Sequence, residues 1–341
     1  MTPHSFGQSD PFTVGIEEEI FCVDRETLSP APFPRDALDG ARLKEELFAS
    51  VVELNTGIHP NAAAAVEQLR GLRERARAAA TEAGLVLAAT GTWPTALPEE
   101  QPVGENPAYR RFVEYAGPSA RRQYVSGLHV HVGMASPEAC MAALEAVLPW
   151  LPLVLALSVN SPYVAGRETG LCSARAEILA LLPRSGAPPV FDSYEDWEAF
   201  VERLVVLGLA DEITRVWWDA RPHPRFGTLE IRIADQPTRL EATGVLAELI
   251  AAMAARLEPN GPADRGLYAQ NRWAAFRFGR AAELVHPDGS RLVSVPDLLA
   301  ELSARLGTST EAGGLAQADE QLDLGRAEGL DELCRRLVAL T

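Results

Sequence analysis

The sequence predicts an α+β fold: a curved, largely antiparallel β-sheet with helices packed on one face. Three observations carry that expectation. Several short runs alternate polar with apolar residues, as half-buried strands do. The order strand, loop, strand, helix, strand breaks the regular alternation a parallel sheet would require. The polar strand positions also need a face that helices do not cover.

The elements follow in order. Residues 13–23 (TVGIEEEIFCV) read as a strand bounded by polar and proline-containing segments. A Pro- and Asp-rich loop covers 24–40, and 42–50 is expected as a short helix leading into a strand at 51–56. Residues 61–82 are the clearest helix, with Asn61 as N-cap, Gly84 as stop, and Leu69, Leu72, Ala76 and Ala80 on one stripe. A short apolar run at 85–91 reads as a buried strand. Residues 94–107, with four prolines, read as an irregular and mobile surface loop. A strand at 124–134 precedes a helix capped by Ser136 and interrupted at Pro149. The polar insertion 160–189 is long and weakly structured, which favours a functional role. Helices are expected at 194–207, 240–257 and 296–306, the last with Pro296 in its first turn, and a strand at 228–234. Gly313 and Gly314 interrupt an acidic tail that ends in a helix at 330–340. No repeat or low-complexity linker divides the chain, so residues 1–341 are expected to form one domain.

Composition excludes several kinds of chemistry. Of 31 basic residues, Lys44 is the only lysine and the other thirty are Arg. A Schiff-base or Walker-type lysine would have to be Lys44, whose surroundings suit neither, and no G-x-x-x-x-G-K-[ST] run exists. The net charge of 31 − 47 = −16 disfavours nucleic acid as a partner. Cys22, Cys140, Cys172 and Cys334 are scattered without a C-x-x-C motif, as in a reducing cytoplasm. The polar N-terminus lacks a signal-peptide core, and the apolar stretch 146–159 is broken by Pro149 and Pro152. A cytoplasmic protein without a membrane partner is expected.

The strand faces carry the functional signal. Side chains at i and i+2 share a face. Glu17 and Glu19 therefore point together, opposite Ile16, Glu18 and Ile20; Glu18 on that apolar side reads as structural or solvent-facing rather than catalytic. Glu53 pairs with Asn55, His129 with His131, and Glu230 with Arg232, each opposite an apolar row. Carboxylates held on one face repel unless a cation lies between them. Mg²⁺ or Mn²⁺ with substrate phosphates fits such a set, and a neighbouring Arg meets phosphate oxygens through its forked donors. Metal-assisted phosphoryl transfer is the reaction class these residues favour.

The motifs, taken together, resemble the carboxylate–amine ligases of the glutamate–cysteine ligase type 2 family, related in fold to glutamine synthetase. Gly15-Ile16-Glu17-Glu18-Glu19, Gly127-Leu128-His129-Val130-His131-Val132-Gly133 and Thr228-Leu229-Glu230-Ile231-Arg232 stand in the family's order. So do Asn160-Ser161-Pro162, Gly166-Arg167-Glu168-Thr169-Gly170, Leu182-Pro183-Arg184-Ser185-Gly186 and the stretch from Trp217 to Pro224. The resemblance covers about residues 12–285, leaving 286–341 as a helical extension of a single glutamine synthetase-like catalytic domain.

It implies ATP-dependent amide-bond formation through an acyl phosphate, with the γ-carboxylate of glutamate as acid and cysteine or another amine as acceptor. It further implies Glu17, Glu19, Glu53, His129 and Glu230 as ligands of Mg²⁺ or Mn²⁺. Arg232 and Glu19 are implied as catalytic residues, Arg232 stabilising the transferring phosphoryl group. His131, Arg167, Arg184 and Arg221 are implied as contacts to nucleotide or substrate anions. A homodimer or higher homo-oligomer is expected. Gln270-Asn271-Arg272-Trp273 and Leu54-Asn55-Thr56-Gly57 depart from the usual family pattern. Two rivals use the same residues: a metal-dependent hydrolase and a non-catalytic sensor of ATP or amino acids.

Overall fold

The computed structural model describes residues 4–210, 216–308 and 315–341. The expected break at Gly313 and Gly314 lies outside them. The first half contains β1 (Val14–Asp24), β2 (Leu43–Glu45), β3 (Val51–Asn55), α1 (Ala62–Glu82), β4 (Leu85–Ala88), α2 (Pro107–Ala116), α3 (Pro118–Arg121) and β5 (Gly127–Gly133). Then come α4 (Pro137–Val147), α5 (Leu151–Ser158), β6 (Tyr163–Val164), β7 (Arg167–Glu168), α6 (Ala174–Leu179) and α7 (Tyr194–Val206). The remainder is β8 (Ala220–His223), β9 (Thr228–Asp235), α8 (Leu240–Arg256), α9 (Arg265–Phe278), β10 (Glu283–Val285), β11 (Leu292–Ser294), α10 (Val295–Leu306), α11 (Ala318–Glu328) and α12 (Leu330–Leu340).

The main sheet has the order β2-β3-β1-β5-β9-β8, with β4 also on β1, and every pairing is antiparallel. Ile16, Ile20, Leu54, Val130, Leu229 and Ile231 turn to one side and join helix residues such as Leu69, Leu144 and Leu246 in the principal core. That leaves the opposite row of polar side chains facing away from α1, α4 and α8. Glu18 is the exception on the apolar side. It is fully buried, and Arg73 of α1 grips it with Nε at 2.7 Å and Nη2 at 2.9 Å; Gln236 and Thr243 also donate to it. Glu18 is thus structural, and not solvent-facing.

Most local expectations hold. The Asn61 side chain accepts from the Ala64 N–H, and Gly84 takes a positive φ just past α1. The expected helix at 42–50 is instead strand β2, because Leu43, buried opposite Leu54, and Lys44, opposite Glu53, continue the sheet's alternation. The expected loop 94–107 ends in α2, entered through the Asn106 cap and Pro107 in the first turn. The apolar helix is interrupted at Pro149 as expected: α4 ends at Val147, a single 3₁₀ turn spans Leu148–Trp150, and Pro152 lies in the first turn of α5, where a missing N–H breaks no helical bond. As a whole, Pro137–Ser158 is long and apolar enough to cross a membrane, but 78% of its apolar window is buried in the core.

The segment after 285 packs onto the same body. Leu298, Leu299 and Leu302 of α10 enter the principal core, and Leu333 and Leu337 of α12 cover Phe21 and Trp93 in a second one. A hairpin, β10–β11, opens that segment, so it is not wholly helical.

Candidate active site

Antiparallel register assembles the polar row. Glu17 lies opposite Asn55 on one side and His129 on the other; Glu19 faces Glu53; Glu53 faces Lys44. Farther along, His131 faces Glu230, which faces Arg221 of β8. Residues far apart in sequence thus line one cavity of about 460 Å³, bordered by α2 and the segment following α6. A neighbouring cavity of about 740 Å³ shares Glu17, Lys44, His131, Arg225 and Phe226 with it. The pair forms a groove with Glu17 at its junction and the other carboxylates in the smaller half.

Two clusters of candidate ligands stand side by side. Glu17, His131 and Glu230 form one, and Glu19, Glu46 and Glu53 the other, with the ligand atoms of each within 4.8 Å of one another. Glu46 was not among the residues singled out from the sequence, because 42–50 was read as a helix. The strand bends after Glu45 and turns the Glu46 carboxyl toward Glu53. Burial, with Glu53 and Glu19 beside it, pushes that carboxyl well above the usual carboxylate range. Burial likewise raises Glu19, against Arg175, Arg232 and a 2.6 Å hydrogen bond from the Gly127 N–H. Glu17 and Glu230 go the other way. Burial opposes their ionisation, but His131 and His129 hold Glu17, and Arg221 and Arg232 hold Glu230, well below the ordinary value.

The two histidines divide differently from the sequence expectation. Past a register irregularity between β5 and β9 at Leu128–Val130, His131 lies opposite Glu230, and His131 rather than His129 joins the Glu17–Glu230 cluster. His131 Nδ1 pairs with Thr228 at 2.9 Å, while Nε2 is buried without a hydrogen bond, 3.4 Å from Glu17 and 4.0 Å from Glu230. His129 Nδ1 sits 3.3 Å from Glu17 and 3.4 Å from Arg232, and burial, aided by Arg232, lowers its pKa to about 4.

The arginines separate as well. Arg232 lines the cavity, bonded to Glu230. Arg221 also lines the cavity but is buried, with Nε 2.6 Å from Glu230 Oε2 and Nη1 2.7 Å from the Val216 carbonyl, so it clamps Glu230. Arg184 lies 5.5 Å over the Trp217 ring and donates to the Leu209 carbonyl; it stands behind the cavity wall that Trp217 makes with Phe112. Arg167 is exposed on the β6–β7 hairpin, whose Glu168 pairs with Arg326, and the fold does not bring it to the cavity.

Sequence reasoning also passed over Arg175, His223 and Tyr109. Arg175 enters from the 160–189 insertion, donates to the Arg232 and Ile233 carbonyls, and leaves its buried Nε unpartnered beneath Glu19. Gly127 makes room for it, since a Cβ there would lie 2.1 Å from Arg175 Nη2. His223 stacks on Phe226 at 4.3 Å, and burial takes its pKa to about 4. Trp218 is core, and burial pushes the Cys172 thiol up to about 11, unsuited to a nucleophile. In the departing stretch 270–273, Arg272 is structural, paired with Asp219, and its neighbour Asn271 pairs with Val285.

Known structures share this architecture. A glutamate–cysteine ligase from Francisella tularensis, solved with AMP, superposes with a TM-score of 0.67 at 14% identity, covering 96% of this chain and 88% of that one. A bifunctional glutathione synthetase from Pasteurella multocida gives 0.66 at 16% identity, with 95% of this chain spanning 50% of that larger one. The fold is therefore that of the glutamate–cysteine ligases. The sequence matches the glutamate–cysteine ligase family 2 profile over residues 13–333, beyond the limit of 285 expected from motifs, and the chain belongs to that family. A relative from Rubrobacter xylanophilus, provisionally named glutamate–cysteine ligase 2-3, is 39% identical over 96% of this chain and 92% of its own length. One from Sorangium cellulosum, provisionally named glutamate–cysteine ligase 2, is 36% identical over 89% of this chain and 85% of its own. The protein is an ATP-dependent carboxylate–amine ligase.

Proposed function

We propose that the enzyme works in the cytoplasm, activates the γ-carboxylate of glutamate with ATP as an acyl phosphate, and passes the acyl group to an amine, cysteine being the first acceptor to try. The observation that supports this most is the pair of ligand clusters, Glu17/His131/Glu230 and Glu19/Glu46/Glu53, lining one cavity, with Glu17 and His131 also bordering the second. A groove with two halves suits a reaction that joins a nucleotide to an acid and then to an amine.

The donor set fits Mg²⁺ or Mn²⁺. Three crowded carboxyls, two of them pushed toward protonation, and a buried imidazole nitrogen without a hydrogen bond suit a bound cation. Glu17, Glu19, Glu46, Glu53, Glu230 and His131 would hold the ions, with His129 beside Glu17. Bound there, they would offset the charge of the phosphates as one is transferred.

The remaining roles belong to the chain's own side chains. Arg232 turns its guanidinium into the cavity and balances charge on the transferring phosphoryl group. Arg221 fixes the Glu230 carboxylate, and Arg175 braces the backbone under Arg232. The wall of Phe112, Trp217 and Tyr109 limits water around the reacting groups.

The test is product formation. Enzyme, ATP, Mg²⁺, glutamate and a panel of amines should release ADP in step with a γ-glutamyl amide, identified by mass. Absence of any ATP-coupled amide across acids and amines would sink the proposal.

A further inference from the structure

The chain's single lysine stands at its cluster of carboxylates. Lys44 faces Glu53 directly across the β2–β3 pair. Its Nζ lies 3.2 Å from Glu53 Oε1 and 2.8 Å from Asn55 Oδ1, and Asn55 Nδ2 donates to the same Glu53 oxygen at 2.6 Å. Lys44 borders both cavities, and its side chain is one-third exposed whereas that of Glu53 is 12% exposed. An ammonium thus already offsets part of the charge of the cluster formed by Glu19, Glu46 and Glu53, through Glu53.

We propose that Lys44 is a positioning residue with a double effect on that cluster. It holds Glu53 in place when no divalent cation is bound, and it weakens binding of a cation by repulsion across the shared carboxylate. Both effects come from its charge at this distance. Asn55 on β3 completes the device by tying Lys44 and Glu53 together. The inference rests on the proposed cation site at Glu19, Glu46 and Glu53.

Equilibrium Mn²⁺ binding, with free Mn²⁺ read by EPR and no turnover involved, tests it. The relevant sites are those lost in Glu46→Gln. Lys44→Met should tighten them about tenfold, whereas Lys44→Arg, which keeps the charge, should stay near wild type. Without divalent cations Lys44→Met should melt below wild type, and Mn²⁺ should restore it. Unchanged or weaker Mn²⁺ binding in Lys44→Met, or an equal gain in Lys44→Arg, overturns the role of Lys44 and leaves the site standing. If wild type has no Mn²⁺ sites sensitive to Glu46→Gln, the cation site and this inference fall together.

Should Lys44→Met fail to fold, wild type can be reductively methylated with ¹³C. The one lysine signal, separate from that of the terminal amine, should shift as Mg²⁺ is added. A signal that stays put while Mg²⁺ binds contradicts the proposal.

Discussion

Glu230 shows how much one side chain is asked to do. Its carboxylate is 1% exposed, faces His131, and is gripped by Arg221 and Arg232. Glu230→Gln keeps the shape but leaves the buried Arg221 and the partly exposed Arg232 guanidinium groups short of charge. Steady-state kinetics should show kcat reduced about 100-fold or more, and thermal melting should show a lower Tm, because the residue serves the fold as well as the site. Arg232→Lys separates the two duties. The ammonium retains the charge but not the fork, so kcat should fall about 100-fold with little change in Tm. Full turnover in Arg232→Lys would remove Arg232 from the transferring phosphoryl group.

At the scale of elements, β1 uses its two faces for different ends. Glu17 and Glu19 serve the groove, and Glu18 between them locks α1 through Arg73. Glu18→Ala should destabilise by about 3–5 kcal/mol in urea unfolding, since it strands a buried guanidinium. Activity per folded molecule should change far less than in Glu230→Gln. Gly127 on β5 is the converse case. Gly127→Ala would drive a Cβ into the Arg175 guanidinium and disturb the N–H that Glu19 accepts, so kcat should fall while the melting transition remains cooperative.

The alternation in four strands was enough to place Glu17, Glu19, Glu53, His129, His131, Glu230 and Arg232 on one face, because a period of two fixes the side on which a residue lies. Period alone does not fix register or bends. The register past the β5–β9 irregularity puts His131 opposite Glu230, and the end of β2 at Glu45 brings in Glu46. Arg175 and α2 stayed hidden because the contacts that place them are long-range, and Arg167 and Arg184 were set apart from the cavity for the same reason.

On the scale of the whole molecule, the −16 charge is partly concentrated in the groove. Binding that supplies positive charge there should stabilise the folded state by mass action. Tm should therefore rise with the concentration of Mg²⁺ and ATP together, more than with either alone. The fold, the family and the site converge on a carboxylate activated by ATP, and oxygen tracing tests this most directly. Glutamate labelled with ¹⁸O in its γ-carboxylate, incubated with enzyme, ATP, Mg²⁺ and an accepted amine, should yield phosphate carrying one ¹⁸O from the carboxylate for each amide formed. Unlabelled phosphate, or label entering only from ¹⁸O-water, would mean that no acyl phosphate forms and would contradict the account.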